Sequence, residues 1–383
     1  MTGLAFVLFI TAAAVTVWIY FGYPLLMWIL ASLRPRPVAK ADVTPFATLV
    51  VPVYNEQDVV GRKIENSLSL DYPPDRLEIL FISDGSTDRT VEIIRAAQRA
   101  EIRLLELPRS GKAAALNAGA EYARGEILVF TDANVDLEPR ALRILARSFA
   151  DPSVGGVSGR KKYIVRRGSD TTEVGENLYW RWDQWQKELE SAAGSIFAAD
   201  GTLYAIRRSL YVPIHDPAQA DDIAISTRVV LQGFRLTIDP EAVAFEEAPA
   251  EGRDEFRRKV RVTNHSVRAL LNLGPALWTS GFYSVELLSH KLVRHLIPFF
   301  LVVLIAATAW LARDAFAFRV LLLLQVAFYG LAVAGTLLRR RRLGSVRIFS
   351  IPYYFCLVNA AALFGVLSIL RGRRVREWTP RST

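Results

Sequence analysis

The sequence predicts an α/β domain, with a mostly parallel sheet covered by helices on both faces, joined to transmembrane helices. Short β-branched runs alternate with helical stretches between Pro45 and about Leu273, which is the pattern of a parallel sheet with crossover helices. Long apolar runs lie before and after that region. The first, Leu4 to Leu30, carries no charged side chain and exceeds the roughly 20 residues that a spanning helix needs.

Two apolar runs near the carboxyl end predict further membrane helices. His295 to Ala312 and Val320 to Leu338 are each bounded by arginine, and the second ends at the four arginines 339–342. Basic residues collect on the cytoplasmic side of a membrane. These arginines, and the basic residues that follow the first run, predict an inner cell-membrane protein with an outward amino terminus and a cytosolic central domain.

The last apolar run, Ile348 to Leu370, leaves two topologies open. Its length allows a span, but a span would place the basic tail that includes Arg371 and Arg373 outside. Alternatively, the segment lies in or re-enters the membrane near Pro352 and Asn359. We expect a cytoplasmic carboxyl terminus.

These patterns divide the chain into five segments. They are a transmembrane helix (1–33), a linker rich in proline and basic residues (34–45), a cytosolic domain (46–273), an interfacial helix with two transmembrane helices (274–347), and a membrane-associated or spanning segment with a basic tail (348–383).

Composition narrows the class of protein. Hydrophobic residues make up 51%, which is high for a soluble protein, while the 22% of charged residues is ordinary for one. The net charge of +9 includes many arginines beside the apolar runs, where lipid head groups already explain them, so we do not expect nucleic acid as a partner. The single cysteine, Cys356, excludes an intramolecular disulfide.

Polar side chains follow three of the predicted strands. The strands are Ala47 to Val53, Leu77 to Ile82 and Ile127 to Thr131, and they are followed by Tyr54-Asn55-Glu56, Ser83-Asp84 and Asp132. Predicted helices include Thr87 to Arg99 and Lys112 to Ala123. Ligands bind outside the carboxyl ends of the strands in such sheets, so we expect the three polar clusters to converge on one rim.

Asp132 and Asn134 offer two oxygen ligands for a hard divalent cation. Mg²⁺ and Mn²⁺ use few protein carboxylates and complete their shells with phosphate oxygens and water, so a nucleotide diphosphate is the natural partner. The alternative is that the segment is only a turn that ends a strand, with its side chains bonded to the backbone.

Six motifs in order resemble the family 2 glycosyltransferases, in the membrane-integrated branch that includes cellulose, hyaluronan and poly-N-acetylglucosamine synthases. No one motif is specific, but their order and spacing are, over Val51 to Arg381. The motifs are Val51-Pro52-Val53-Tyr54-Asn55-Glu56, Asp84-Gly85-Ser86-Thr87-Asp88, Gly111-Lys112-Ala113-Ala114-Ala115-Leu116-Asn117-Ala118-Gly119, Thr131-Asp132-Ala133-Asn134, Asp200-Gly201-Thr202 and Ala220-Asp221-Asp222.

The resemblance implies a GT-A type nucleotide-diphospho-sugar transferase fold and inverting sugar transfer. Asp222 would be the general base that takes a proton from an acceptor hydroxyl, and Arg261 would neutralise the leaving diphosphate. The implied metal ligands for Mg²⁺ or Mn²⁺ are Asp132 and Asn134. The implied donor-binding residues are Pro52, Tyr54, Glu56, Asp84, Lys112, Asp132 and Arg258, of which Glu56 and Asp84 would contact the uridine of a UDP-sugar. The implied acceptor-binding residues, for a glycan or lipid-linked acceptor, are Gly201, Thr202, Asp221 and Trp182.

Simpler interpretations exist for the residues at two helices. Two acidic residues such as Asp221 and Asp222 are also favoured at a helix N-terminus by the macrodipole. The basic run around Arg261 is also what a solvated helix face beside a membrane would carry.

The chain departs from the family pattern in two places. Asn134 replaces the second aspartate of Asp-x-Asp, which keeps an oxygen but removes one charge. The Gln-x-x-Arg-Trp motif of processive synthases is reduced to Arg258-Lys259-Val260-Arg261-Val262. The tryptophan of that motif stacks on the end of a growing polymer, so its loss argues against long-chain processivity.

Two aromatic features give further expectations. Trp180, Trp182 and Trp185, on a predicted helix from Glu173 to Ser191, offer a sugar-stacking surface, although core or interface packing is the commoner role of such a cluster. Trp378-Thr379-Pro380-Arg381 resembles the Trp-x-x-Arg gating element of hyaluronan synthases, with a frayed basic tail as the alternative.

Three functions are therefore compared. The leading one is a glycosyltransferase that extends a glycan or glycolipid at the inner membrane face. The second uses a polyprenyl phosphate acceptor, which hardly needs a general base. The third is a non-catalytic membrane protein that binds a nucleotide or glycan and regulates a protein partner.

Overall fold

The computed structural model describes residues 2–164, 172–247, 252–338 and 346–372. The chain divides into two compact units. Among the described residues, a helical unit contains 2–33, 172–189, 252–338 and 346–372, and an α/β unit contains 34–164 and 190–247. Within the predicted domain of residues 46–273, residues 172–189 and 252–273 belong to the helical unit.

The secondary structure alternates as the sequence predicts. The strands are β1 Ala47–Val53, β2 Leu77–Asp84, β3 Ile102–Leu107, β4 Ile127–Phe130, β5 Asp136–Leu137, β6 Val154–Ile164, β7 Tyr204–Arg207 and β8 Arg235–Glu247. The α-helices are α1 Thr2–Val17, α2 Tyr23–Leu33, α3 Val60–Leu68, α4 Thr90–Ala96, α5 Lys112–Tyr122, α6 Ala141–Arg147, α7 Thr172–Ala193, α8 Asp221–Leu231, α9 Gly252–Leu271, α10 Ala276–Thr279, α11 Phe282–Glu286, α12 Val293–Leu311, α13 Phe316–Leu338 and α14 Arg347–Leu370.

The α/β unit is built on one eight-stranded sheet in the order β3-β2-β1-β4-β7-β6-β8-β5. The pairs β3–β2, β2–β1, β1–β4 and β6–β8 are parallel. The pairs β4–β7, β6–β7 and β5–β8 are antiparallel. The predicted fold class is confirmed, and the sheet is mixed because the half beyond β4 returns through antiparallel strands.

Two apolar layers cover the sheet, because alternate residues of each strand face opposite sides. In β1, Leu49 and Val51 face a core completed by α3, α4 and α6, whereas Val50 faces a core completed by α5 and α8. On the second side, Gly119 of α5 lies so close to the sheet that a Cβ would be 2.8 Å from Val50 Cγ1. Strands β1, β2 and β4 are buried on both faces, which explains their largely apolar sequence.

Residues 34–45 have no regular secondary structure but are bonded to the rest of the α/β unit. The backbone N–H of Arg36 donates to Ala192 at 2.7 Å, and that of Ala41 donates to Arg147 at 3.1 Å. Lys40 pairs with buried Asp239 at 2.9 Å. These contacts hold the predicted linker against the α/β unit.

In the described part of the helical unit, four helices are long and apolar enough to cross a membrane: Thr2–Leu33, Phe282–Leu311, Phe316–Leu338 and Arg347–Leu370. The four apolar runs of the sequence lie in these helices. Within the unit, α9 and α14 pack closely, since a Cβ on Gly365 would lie 2.7 Å from Thr263 Cβ. Asn264 Nδ2 donates to Ser368 Oγ at 2.6 Å between the same two helices.

A methyl group at Gly125 should destabilise the α/β unit. An added Cβ would lie 2.5 Å from Thr48 N, 2.8 Å from Ala47 C and 2.8 Å from Ile127 O, all of them backbone atoms that cannot rotate away. We expect Gly125→Ala to cost about 1 to 3 kcal/mol and to lower the melting temperature of the purified protein in detergent.

Gly61→Ala is the matched control, because nothing lies within 4 Å of its Cβ position inside α3 and alanine favours a helix. Equal melting temperatures for the two variants would contradict the close approach of β1 and β4.

Candidate functional site

The loops after β1 and β2 are joined by side-chain hydrogen bonds at the carboxyl end of the sheet. Asn55 has a left-handed φ of 52°, and its Oδ1 accepts from the Thr87 N–H at 2.8 Å. The Glu56 N–H donates to Thr90 Oγ1 at 2.8 Å, and the Gln57 N–H donates to Asp88 Oδ2 at 3.1 Å. The first two predicted donor motifs therefore form one connected rim.

Asp84 ends β2 and is completely buried. Its carboxylate accepts from the Ser110 N–H at 2.6 Å, from the Gly111 N–H at 2.9 and 3.0 Å, and from the Arg109 guanidinium. Gly85 leaves room for this loop, since it has a φ of +69° and a Cβ there would be 2.7 Å from Arg109 N. Asp84 thus fixes the segment that leads into α5.

Arg109 is a rim residue that no motif of the sequence predicted. Its guanidinium carbon lies 3.5 Å from the centre of the Tyr54 ring, so it joins Tyr54 to Asp84. Among the other predicted donor residues, Pro52 is buried within β1, while Tyr54 and Glu56 are half-buried at its end. An arginine after a strand has no distinctive spacing, which is why sequence reasoning missed it.

Lys112 is the first residue of α5 and joins two candidate acids. Its Nζ lies 2.8 Å from Asp132 Oδ1 and 3.1 Å from Asp221 Oδ2. Burial alone would lower the pKa of Lys112, but the two carboxylates outweigh burial and raise it. The structure therefore brings together the Lys112, Asp132 and Asp221 motifs, which are far apart in sequence.

Asp132 and Asn134 lie in a turn after β4, in which the Val135 N–H donates to Asp132 O at 3.3 Å. Both side chains are half-buried, while Ala133 and Val135 point into the protein. The described part of the chain has no group of three or more His, Cys, Asp or Glu arranged to hold a metal. The Lys112 ammonium lies between Asp132 and Asp221, so this part of the rim accommodates a positive charge. The oxygens of Asp132 and Asn134 therefore fit a hard ion that takes its other ligands from phosphate and water.

Asp222, the predicted general base, is in the first turn of α8 beside Gly201. Its Oδ1 accepts from the Ile223 N–H at 2.8 Å, and a Cβ on Gly201 would lie 3.3 Å from its Oδ2. Asp200 Oδ1 in turn accepts from Thr202 N at 3.0 Å and from Thr202 Oγ1 at 2.7 Å. Gly201 therefore brings its backbone next to the acidic pair, while Thr202 is buried and turned towards Asp200.

Tyr204 is a second residue that the sequence did not reveal. It begins β7, stacks on Phe130 with ring centres 4.9 Å apart, and is 1% exposed. Burial raises its pKa well above the ordinary value, and the charges of Asp221 and Asp222 raise it further. Its hydroxyl has no hydrogen-bond partner in the described structure.

Lys63 on α3 is a third such residue, and it lies beneath the turn that carries Asp132. It is 0% exposed, and its Nζ donates to Val135 O at 2.6 Å and to Thr131 Oγ1 at 3.4 Å. Burial lowers its pKa to about 7, although Asp136 and Asp132 act in the opposite direction. Because Lys63 falls within an ordinary amphipathic helix, its burial depends on long-range packing.

The remaining predicted site residues belong to the helical unit. Arg258 Nε donates to buried Glu255 at 2.7 Å, while Arg261 is half-buried on the same helix, α9. One face of the half-buried Trp182 carries the guanidinium of Arg294, 4.6 Å from the ring centre. Two predictions, the arginine cluster 339–342 and the element Trp378 to Arg381, lie outside the described residues.

Residues 48–212 match the model of glycosyl transferase family 2. This region of the chain is similar to the family 2 glycosyltransferases. The family resemblance read from the motifs is therefore confirmed. Asp221, Asp222, Arg258 and Arg261 lie beyond the matched residues.

Curated relatives are about a quarter identical to this chain over the aligned residues. The probable glycosyltransferase YdaM of Bacillus subtilis is 27% identical over 235 residues, which are 57% of this chain and 54% of that protein. The poly-beta-1,6-N-acetyl-D-glucosamine synthase of Staphylococcus aureus is 26% identical over 236 residues, which are 60% of this chain and 57% of the synthase. The chain thus spans little more than half the length of these relatives.

A solved structure matches nearly the whole chain. The mannosyltransferase PcManGT from Pyrobaculum calidifontis, in complex with GDP-Man and Mn²⁺, superposes with a TM-score of 0.70 and 26% identity. The match covers 96% of this chain and 99% of the mannosyltransferase. The likeness therefore includes the long apolar helices as well as the GT-A type domain.

Because burial lowers the pKa of Lys63, we expect the free energy of unfolding to increase with pH. Between the folded pKa of about 7 and the ordinary value of 10.5, the unfolded chain holds a proton that the native state has released. The free energy of unfolding should therefore rise across this range, by an amount on the order of 5 kcal/mol at its limit. The measurement is the melting temperature in detergent at pH 7 and pH 9.5.

Lys63→Met lacks this titration and should gain less stability over the same range, whereas Arg62→Met keeps Lys63 and should follow the wild type. Parallel curves for wild type and Lys63→Met would show that Lys63 does not titrate in the native state.

Proposed function

We propose that this protein is a membrane-bound inverting glycosyltransferase. It moves a sugar from a nucleotide-diphospho-sugar, with a UDP-sugar as the preferred donor, to a hydroxyl of a glycan or glycolipid. The observation that carries the proposal is the Lys112 ammonium lying 2.8 Å from Asp132 and 3.1 Å from Asp221. One cation joins the predicted metal-site motif to the acidic pair, so the groups assigned to donor and acceptor would share one rim.

Asp132 and Asn134 would hold Mg²⁺ or Mn²⁺, which supplies positive charge to the diphosphate when bound. The Mn²⁺ and GDP-Man in the mannosyltransferase complex support a divalent metal and a nucleotide sugar. Lys112 places a second positive charge on the same side, where it would favour phosphate oxygens. Tyr54, Glu56 and the loop held by Asp84 would form the nucleoside side of the donor pocket, and Pro52 lies buried within β1.

Asp222 would act as the general base. Its position in the first turn of α8 and the Ile223 N–H favour the charged carboxylate. In the reaction, the acceptor oxygen forms a bond to the anomeric carbon, the bond from that carbon to the diphosphate oxygen breaks, and Asp222 receives the hydroxyl proton. Gly201, Thr202 and Asp221 would line the acceptor side.

Arg261 would neutralise charge on the departing diphosphate. Arg258, also assigned to the donor, pairs with buried Glu255 on the same helix, α9.

The four long apolar helices would anchor the enzyme in the inner cell membrane and face its acceptor lipids. The basic residues that border them favour a cytosolic catalytic domain. A cytosolic domain would have direct access to nucleotide sugars.

The decisive experiment measures nucleoside diphosphate release by the full chain in lipid nanodiscs with Mn²⁺ or Mg²⁺. The donors are UDP-sugars and GDP-sugars of mannose and N-acetylglucosamine, with native membrane extract as acceptor. We expect metal-dependent release from one UDP-sugar, abolished by Asp132→Ala and reduced at least about a hundredfold by Asp222→Asn, because a positioned base contributes that much.

Retention of release by Asp222→Asn would favour a polyprenyl phosphate acceptor instead of a hydroxyl. Release from a GDP-sugar alone would overturn the uridine assignment. The absence of release from every donor would favour a non-catalytic binding protein.

Removing the Lys112 ammonium should separate donor catalysis from metal binding. Lys112→Met leaves Asp132 and Asp221 without the cation that joins them, so the apparent affinity for Mn²⁺ without nucleotide should increase. Nucleotide release should nevertheless fall about a hundredfold, since a preorganised charge is lost from the site. Mn²⁺ titration and release assays on the same preparation test both effects.

Arg124→Met, which removes a largely exposed basic side chain paired with Glu78 at 3.8 Å, is the matched control and should change neither quantity. Weaker Mn²⁺ binding by Lys112→Met would contradict the proposed competition between lysine and metal.

A further inference from the structure

The α/β unit contains a buried lysine that the proposed reaction does not use. Lys63 lies on α3, 0% exposed, and its Nζ donates to Val135 O at 2.6 Å and to Thr131 Oγ1 at 3.4 Å. Burying an ammonium group is costly, and a packing role alone would be filled better by methionine or leucine. The bonds that Lys63 makes therefore need an explanation beyond packing.

The two acceptors of Lys63 bracket the candidate metal turn. Thr131 comes directly before Asp132, and Val135 comes directly after Asn134. The turn itself contributes one long backbone bond, from Val135 N to Asp132 O at 3.3 Å. A single ammonium group thus holds both ends of the segment that carries the two oxygen ligands.

A neighbouring residue on α3 continues this attachment beyond the turn. Asn66 Nδ2 donates to Leu137 O at 2.8 Å, and Asn66 Oδ1 accepts from the Leu137 N–H at 2.8 Å. Arg62 reaches Asp136 at 3.4 Å from a half-exposed position. Of these three side chains on α3, Lys63 is the one that bonds on both sides of Asp132 and Asn134.

We propose that Lys63 is a positioning residue that sets the geometry of the Asp132 and Asn134 ligands for the divalent metal. The proposal rests on the metal site of the proposed function. Mg²⁺ tolerates little deviation from ideal ligand geometry. Asn134 supplies no charge, so the affinity of this turn depends more on the positions of its two oxygens than it would with a second carboxylate.

The test uses the full chain in nanodiscs and two neutral replacements, Lys63→Met and Lys63→Gln. Methionine fills the space without a donor, and glutamine keeps an N–H donor on a stem one atom shorter, which cannot span both acceptors. Arg62→Met is the matched control, because it removes one positive charge from the same helix without touching the turn.

Two readouts separate positioning from folding. The first is Mn²⁺ binding in the presence of UDP, followed by the electron paramagnetic resonance signal of free Mn²⁺. The second is the Mn²⁺ concentration that gives half-maximal nucleotide release, together with kcat at saturating Mn²⁺. Substitution of a residue that orients metal ligands costs 10- to 100-fold in metal affinity in general.

We expect Lys63→Met to raise both Mn²⁺ half-saturation values about tenfold, with kcat at saturating Mn²⁺ within a few-fold of wild type. Lys63→Gln should show a smaller rise, and Arg62→Met should match the wild type. If Lys63→Met does not fold, the difference between Lys63→Gln and Arg62→Met decides the question.

Wild-type half-saturation in the folded Lys63 variants, with only a lower melting temperature, would overturn the positioning role and leave a structural one. A different result would show that Asp132 does not bind the metal at all. In that case Asp132→Ala would bind Mn²⁺ and UDP as the wild type does, whatever the Lys63 variants show.

Discussion

Asp84 determines where the helix that carries Lys112 begins. Its carboxylate is fully buried and accepts from two backbone N–H groups and the Arg109 side chain. A buried carboxylate without these donors would be strongly destabilising, so moving the loop 109–111 away from Asp84 would cost free energy. Because the Gly111 N–H directly precedes α5, the same bonds satisfy the start of that helix and favour its macrodipole. The position of Lys112 follows from this one contact.

The charge balance of the rim follows from Lys112. Asp132 and Asp221 come from different elements, and without a cation between them two half-buried carboxylates would repel. The ammonium permits their approach in the absence of metal. It also brings a second carboxylate to the side of the site where Asn134 supplies none. The loss of charge at position 134 is thus accompanied by an acidic residue from α8 at the same rim.

The parallel half of the fold was predictable because its signals are local. The predicted strand Ala47 to Val53 matches β1, and the predicted helix Lys112 to Ala123 differs from α5 by one residue. The predicted helix Thr87 to Arg99 begins later in the structure, at Thr90, because Thr87 and Asp88 are bonded to the loop after β1, and it ends at Ala96. Strand ends and motif residues lie next to each other in sequence, so the rim could be inferred.

The antiparallel half and the supporting residues were not predictable in the same way. The pairing of β6 with β7 and β8 joins segments about 50 to 80 residues apart. The hydrophobic periodicity of a sequence is local, so it does not predict which distant residues pair. Arg109, Lys63 and Tyr204 acquire their roles only when distant elements meet. Their residue types are ordinary for a loop, an amphipathic helix and a strand.

The aromatic cluster of the helical unit shows how a sequence pattern can fit two roles until its neighbours are known. Tyr179 and Trp182 both face Arg294, at 4.7 and 4.6 Å from the ring centres. Arg294 also donates to Asp183 at 3.1 Å. Cations already stabilise these aromatic faces, so a sugar stacking on the same face of Trp182 would have to displace a guanidinium held by a buried carboxylate. Packing of charged and aromatic side chains inside the helical unit is therefore the stronger explanation for this face of Trp182.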